Sequence, residues 1–114
     1  MSYIVTPFEV SSKALAAPAH CRFVHLFPAI ATRHSDTMDC WFRVNGQRVT
    51  VSISCAALTA LRVRAGRILK DQELAQIAAR HLRDTLERGY DATQAELLID
   101  GGLLESLGTE LGYL

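Results

Sequence analysis

The chain has 114 residues, 12 Lys and Arg against 12 Asp and Glu, and 49% hydrophobic residues. That length suits one domain over residues 1–114, and such a chain should bury roughly 65% of its unfolded surface without help from a metal or a disulfide. A net charge of zero argues against a general nucleic-acid binder, which needs excess Lys and Arg, and equally against a polyanionic DNA mimic; a chain half apolar is not intrinsically disordered.

Residues 3–10 read as an edge strand, because Pro7 cannot donate to a central ladder. The segment before Ala19 has no basic start and no unbroken apolar stretch, so no signal peptide is expected. No run approaches the ~20 apolar residues of a membrane span. Residues 22–27 carry apolar side chains on both faces, which places a strand inside the sheet, and Pro28 closes it or bends it. Residues 31–37 are polar and short, a loop.

The clearest local signal follows. Residues 38–44 meet 47–53 across Asn45-Gly46, the preferred pair for a two-residue type I′ turn. The turn fixes the register, with 44 opposite 47, 42 opposite 49, 40 opposite 51 and 38 opposite 53. One face is then Val44, Phe42, Cys40 and Met38 with Gln47, Val49, Val51 and Ile53. The other sets Arg43 opposite Arg48, Trp41 opposite Thr50, and Asp39 opposite Ser52.

Ser54 caps a short helix from Cys55 to about Arg64, with Ala57, Leu58 and Leu61 turned inward and Val63 a further candidate. Gly66 permits a turn. A long helix then runs over residues 72–88, capped by Asp71, with Glu73 in its first turn. Leu74, Ile77, Ala78, His81, Leu82 and Leu86 form one stripe at helical spacing, which should lie on the apolar face of the hairpin. Arg80 with Asp84, Arg83 with Glu87 and Asp84 with Arg88 are spaced to pair on the opposite face, and Gly89 ends the helix. Residues 96–99 read as a last strand and 103–107 as a final helical turn. The alternative is one helix from Thr93, capped by Asp91. The fold class expected is α+β, a small antiparallel sheet of three to five strands around the hairpin, covered on one face by the long helix.

Phe42, Val44, Gly46, Val49, Ile53, Ser54, Ala57 and Leu58 carry a resemblance. Residues 41–99 resemble the domain-of-unknown-function 1488 family of small bacterial proteins: a Phe/Val strand, a turn with Gly, a second strand ending in an Ile-Ser step, an Ala-Leu helix start, a long helix and a short closing strand. The resemblance implies a small α+β fold. It brings no agreed activity and no catalytic residue, and the N-terminal third stands outside it.

Cys21, Cys40 and Cys55 are odd in number and have no CxxC spacing, so reduced thiols in a cytoplasmic protein are expected. His20, Cys21, His25, His34 and Cys40 lie close in sequence but match no common zinc signature. On a regular strand Cys21 and His25 share a face and His20 does not. No metal or other cofactor is expected. A Cys-His-acid arrangement would need a cysteine beside His81 or His25 with an acid such as Asp84, and nothing in the sequence brings them together. No phosphate loop, nucleophile elbow or His-Glu-x-x-His is present, so a non-enzymatic protein is expected.

Trp41, Arg43 and Arg48 form the most unusual group. Facing arginines repel, and a large aromatic beside them has the make-up of an interface anchor. The bland alternative has the arginines splayed into water and Trp41 covered by the N-terminal segment. Arg62, Arg64 and Arg67 add a second basic cluster, which acids of the long helix could neutralise. The apolar end, from Leu103 through Leu107 and Leu111 to Leu114, either completes the core or packs on a partner or second copy. The function expected is a small module that binds a protein partner, or a second copy as a homodimer. An inhibitor from a mobile element, such as an anti-CRISPR protein, is one form of it that no residue selects. The alternative is a weak nucleic-acid-contacting regulator using Trp41, Arg43, Arg48, Arg62, Arg64 and Arg67.

Overall fold

Asn45 and Gly46 have φ of 51° and 83°, the two positive values that a type I′ turn needs. They join β3 (Thr37–Val44) to β4 (Gln47–Ser54). The register is the expected one: Val44 faces Gln47, Phe42 faces Val49, Cys40 faces Val51 and Met38 faces Ile53. The computed structural model describes residues 5–13, 15–30, 35–89 and 97–114. Tyr3, His34, Asp91 and Thr93, and most of the loop expected over 31–37, lie outside the described residues.

With β1 (Phe8–Val10), β2 (Ala19–Pro28) and β5 (Leu97–Ile99) the sheet has five strands in the order β1-β2-β3-β4-β5. β1 is an edge strand that begins directly after Pro7, and β2 lies between β1 and β3, as expected. The first four strands pair antiparallel, but β5 runs parallel to β4. The α+β class and the number of strands are as expected, and the one departure from an antiparallel sheet is this last pairing. Two helices separate β4 from β5, which pairs with Val51, Ser52 and Ile53 in the second half of β4, and a crossover of that length is what parallel pairing requires.

The first of these is α1 (Cys55–Ala65), capped by the Ser54 hydroxyl, which accepts the Ala57 N–H at 3.2 Å. Ala57 and Leu61 are buried, but Val63 is 79% exposed. It sits two residues past Leu61, on the far side of the helix. In α2 (Asp71–Glu87) the whole stripe of Leu74, Ile77, Ala78, His81, Leu82 and Leu86 is buried. Lys70, not Asp71, occupies the cap position. The Glu73 carboxylate accepts the Lys70 N–H at 2.8 Å and so satisfies a backbone donor that the expected Asp71 cap would have left to another group. At the other end Gly89, with φ of 82°, donates to the Leu86 carbonyl. Arg80 pairs with Asp84 along the helix at 3.2 Å and reaches Glu110 at 3.3 Å. Arg83, expected beside Glu87, lies with its guanidinium over the Phe8 ring.

α3 (Gly101–Glu110) starts at Asp100, whose carboxylate accepts the Leu103 N–H at 3.0 Å. Its Leu104 and Leu107 are buried, and the chain then folds back. Both Tyr113 and Leu114 donate their N–H to the Gly108 carbonyl, and the Leu114 side chain lies where a Cβ on Gly108 would come within 2.7 Å. The apolar C-terminal segment therefore packs on its own domain. Phe42, Val49, Val51, Ile53, Ile99, Ile77, Leu82 and Leu104 meet in one core between one face of the sheet and the helices. The other face of β2, β3 and β4 carries the residues singled out above.

Candidate functional site: the polar face of the sheet

β2 has a break in its alternation. Cys21 pairs with Val44, Arg22 with Arg43 and Phe23 with Phe42; the register then shifts, and His25 pairs with Trp41, Leu26 with Cys40 and Phe27 with Asp39. Val24 is the extra residue of a β-bulge. Up to Phe23 the odd-numbered residues face the core, and from Leu26 the even-numbered ones do. Cys21 and His25, expected on one face, are thus on opposite faces. Cys21 is buried in the core and His25 stands on the polar side.

The bulge brings two rows of side chains together across three strands. In the first row Arg22 faces Arg43 and Arg43 faces Arg48. Neighbouring strands lie about 4.8 Å apart, so the three arginines leave the backbone side by side. All three are exposed, and none is ion-paired among the described residues. Arg43 donates to the Gly46 carbonyl at 3.4 Å. In the second row His25 faces Trp41 and Trp41 faces Thr50. The Arg48 guanidinium lies over the Trp41 ring, 3.3 Å from its centroid. Phe27 meets Trp41 edge-on at 4.6 Å, and His25 stacks on Phe27. Trp41 is therefore half-buried and fixed between an arginine and a phenylalanine. Further along, the Asp39 carboxylate accepts bonds from Thr37 and Ser52, both at 2.8 Å, and is only 1% exposed.

A concavity of about 710 Å³ opens at the other end of the arginine row, beside the beginning of β1. Glu9, His20, Arg22, Arg43 and Asn45 line it. His20 lies 3.9 Å from Glu9, and the Asn45 side chain accepts the His20 N–H at 2.8 Å, which ties the hairpin turn to β2.

The other predicted residues are elsewhere. Arg62 and Arg64 are in the last turn of α1, and Arg67 follows it. Arg64 is ion-paired with Glu105 of α3. Arg67 holds Glu73 at 3.0 Å and donates to the Tyr113 carbonyl at 2.8 Å. Two of the three thus join helices of this domain, and the structure does not bring the cluster to the Trp41 face. Sequence reading missed Arg22, His25 and Phe27, which the bulge delivers to that face.

The chemistry available to the thiols is limited. Burial pushes Cys21 up to about 11 despite the Arg83 charge, and burial together with the Asp39 and Asp71 charges pushes Cys40 up further. Burial and then Asp36 raise Cys55. All three are thiols near neutral pH, not thiolates. His81 lies buried in α2, where desolvation and the Arg88 charge lower its pKa against the opposing Asp84. Among the described residues no group of three or more His, Cys, Asp or Glu could hold a metal ion, and no helix is long and apolar enough to cross a membrane.

No family model, no curated protein and no solved structure matches the chain.

Proposed function

We propose that the chain is a non-enzymatic module that binds a protein partner through the face carrying Trp41, Arg43 and Arg48. The observation that supports this is the Arg48–Trp41 stack, 3.3 Å from guanidinium to ring centroid, beside a second exposed arginine that has no carboxylate partner among the described residues. A guanidinium held on an aromatic ring keeps its in-plane N–H donors free and loses little freedom when a carboxylate accepts two of them. Trp and Arg are also the side chains that dominate protein interfaces. An inhibitor carried by a mobile element, an anti-CRISPR protein for instance, is one protein of this kind.

The nucleic-acid reading fits less well. A base would need the open face of Trp41, which Arg48 already covers. Arg64 and Arg67 are neutralised within the domain, and the chain as a whole carries no net charge. The test is retention of a host protein from nuclease-treated lysate by wild type and by the Arg43→Glu/Arg48→Glu variant, with both melted alongside. A protein kept by wild type and lost by an equally stable variant is expected. Equal retention by both would overturn the reading.

A further inference from the structure

The register of β2, β3 and β4 sets Arg22, Arg43 and Arg48 in one line on the polar face. Like charges directly opposite each other on adjacent strands are destabilising, yet three follow one another here, with no carboxylate on any of them among the described residues. Glu9, the acid nearest the row in the concavity, is turned to His20. Among the described residues nothing neutralises these three charges, and an anionic group docked on them would.

Its dimensions narrow the choice. Three strands at about 4.8 Å spacing set the backbone positions of the three arginines along a line of about 10 Å. An extended peptide carries side chains on one face at intervals of about 7 Å, so acids at alternate positions reach both ends of that line. The concavity lies between Arg22 and Arg43 at one end, and the Arg48–Trp41 stack lies at the other. Building on the protein-binding reading above, we infer that the Arg22–Arg43–Arg48 row holds an extended acidic segment of the partner. One carboxylate is seated in the concavity between Arg22 and Arg43, and the next but one residue places a second on Arg48. Arg22, the member contributed by the bulged strand, is then a binding residue.

Trp41 is the single tryptophan of the chain, so its fluorescence reports directly on this row. The probes are short synthetic peptides of alternating Glu and Thr or alternating Gln and Thr, and a single-stranded oligonucleotide. The Glu/Thr peptide should change Trp41 emission saturably, and the Gln/Thr peptide should not. Arg22→Gln should weaken the Glu/Thr peptide by about tenfold or more. Arg22→Lys should recover only part of that loss, because it keeps the charge and loses the fork. Melting of each variant guards against misfolding, and Arg22→Lys keeps the test decisive if Arg22→Gln proves unstable. No saturable change with the Glu/Thr peptide, full affinity in both Arg22 variants, or tighter binding of the oligonucleotide would each overturn the inference. If the host protein is lost by Arg43→Glu/Arg48→Glu but fully kept by Arg22→Gln, the row falls and the protein-binding face stands. If both variants keep it, the face itself is wrong.

Discussion

The Arg48 guanidinium lies over the Trp41 ring, 3.3 Å from its centroid, while Arg43, its direct neighbour across the turn, donates to the Gly46 carbonyl. The ring's negative face offsets part of the repulsion between the two cations. Replacing Arg48 with Ala should cost about 0.5–1 kcal/mol of stability, the usual worth of such a contact at an exposed site, and should shift Trp41 emission to the red as water reaches the ring. Denaturation followed by fluorescence reads both effects at once. An unchanged emission maximum would show that the stack does not shield the ring.

Phe42 is fully buried between β2, β4 and the helices, with Phe23 edge-on to it at 5.6 Å. Phe42→Ala removes the ring and leaves a cavity, for an expected loss of about 3–5 kcal/mol. In a domain of this size that is a large part of total stability. Urea denaturation with an unaltered slope and a much lower midpoint is the expected result; an unchanged midpoint would contradict the core.

Gly108 sits within α3, where the Leu114 side chain occupies the space a Cβ would take. Ala is better than Gly in a helix by about 1 kcal/mol, but here Leu114 must move aside. Gly108→Ala alone should change stability little. In a Leu114→Ala background the same substitution should stabilise by about 0.5–1 kcal/mol. A double-mutant cycle measures the difference, and strict additivity would mean that Leu114 does not press on this glycine.

His81 binds a proton less readily in the folded chain, because burial and the Arg88 charge lower its pKa below the ordinary 6.5. Above that value both folded and unfolded chains hold it neutral, and it contributes no pH dependence. As the pH falls through about 6.5 the unfolded chain takes up the proton first, so stability declines toward the depressed folded value. Midpoints at pH 7.5 and pH 5.5 should differ for wild type. The difference should shrink in His81→Leu; an equal difference in that variant would assign the effect to other groups.

The hairpin was legible because its signals are local. Asn45 and Gly46 set the turn, and the alternation from Met38 to Ile53 agrees with it. The α2 stripe was legible for the same reason. Helix capping was legible at Ser54 but not at Lys70, where a side chain three residues on supplies the acceptor. The direction of β5 was hidden, since three residues carry no record of which way a neighbour runs. Arg22 was hidden by the bulge. The sequence held a trace of it, since Cys21 and Phe23 are out of phase with Leu26 by one residue. An inside strand with apolar residues on both faces explains the same pattern, and only pairing with β3 separates the two explanations.

The order of strands in the sheet is also their order along the chain. From β1 to β4 each new strand needs only to turn back on the one before it, through short connections whose closure is rapid. β5 is different: it reaches β4 only after α1 and α2 have been laid down, across a stretch from Ser54 to Leu97. Closing that loop costs chain entropy that the three-residue strand alone recovers poorly. Assembly should therefore proceed from the N-terminal meander outward, with β5 joining late. In native-state hydrogen exchange the amides of β5 should open well before those of β3, and the parallel edge should be the first part of the sheet to let go.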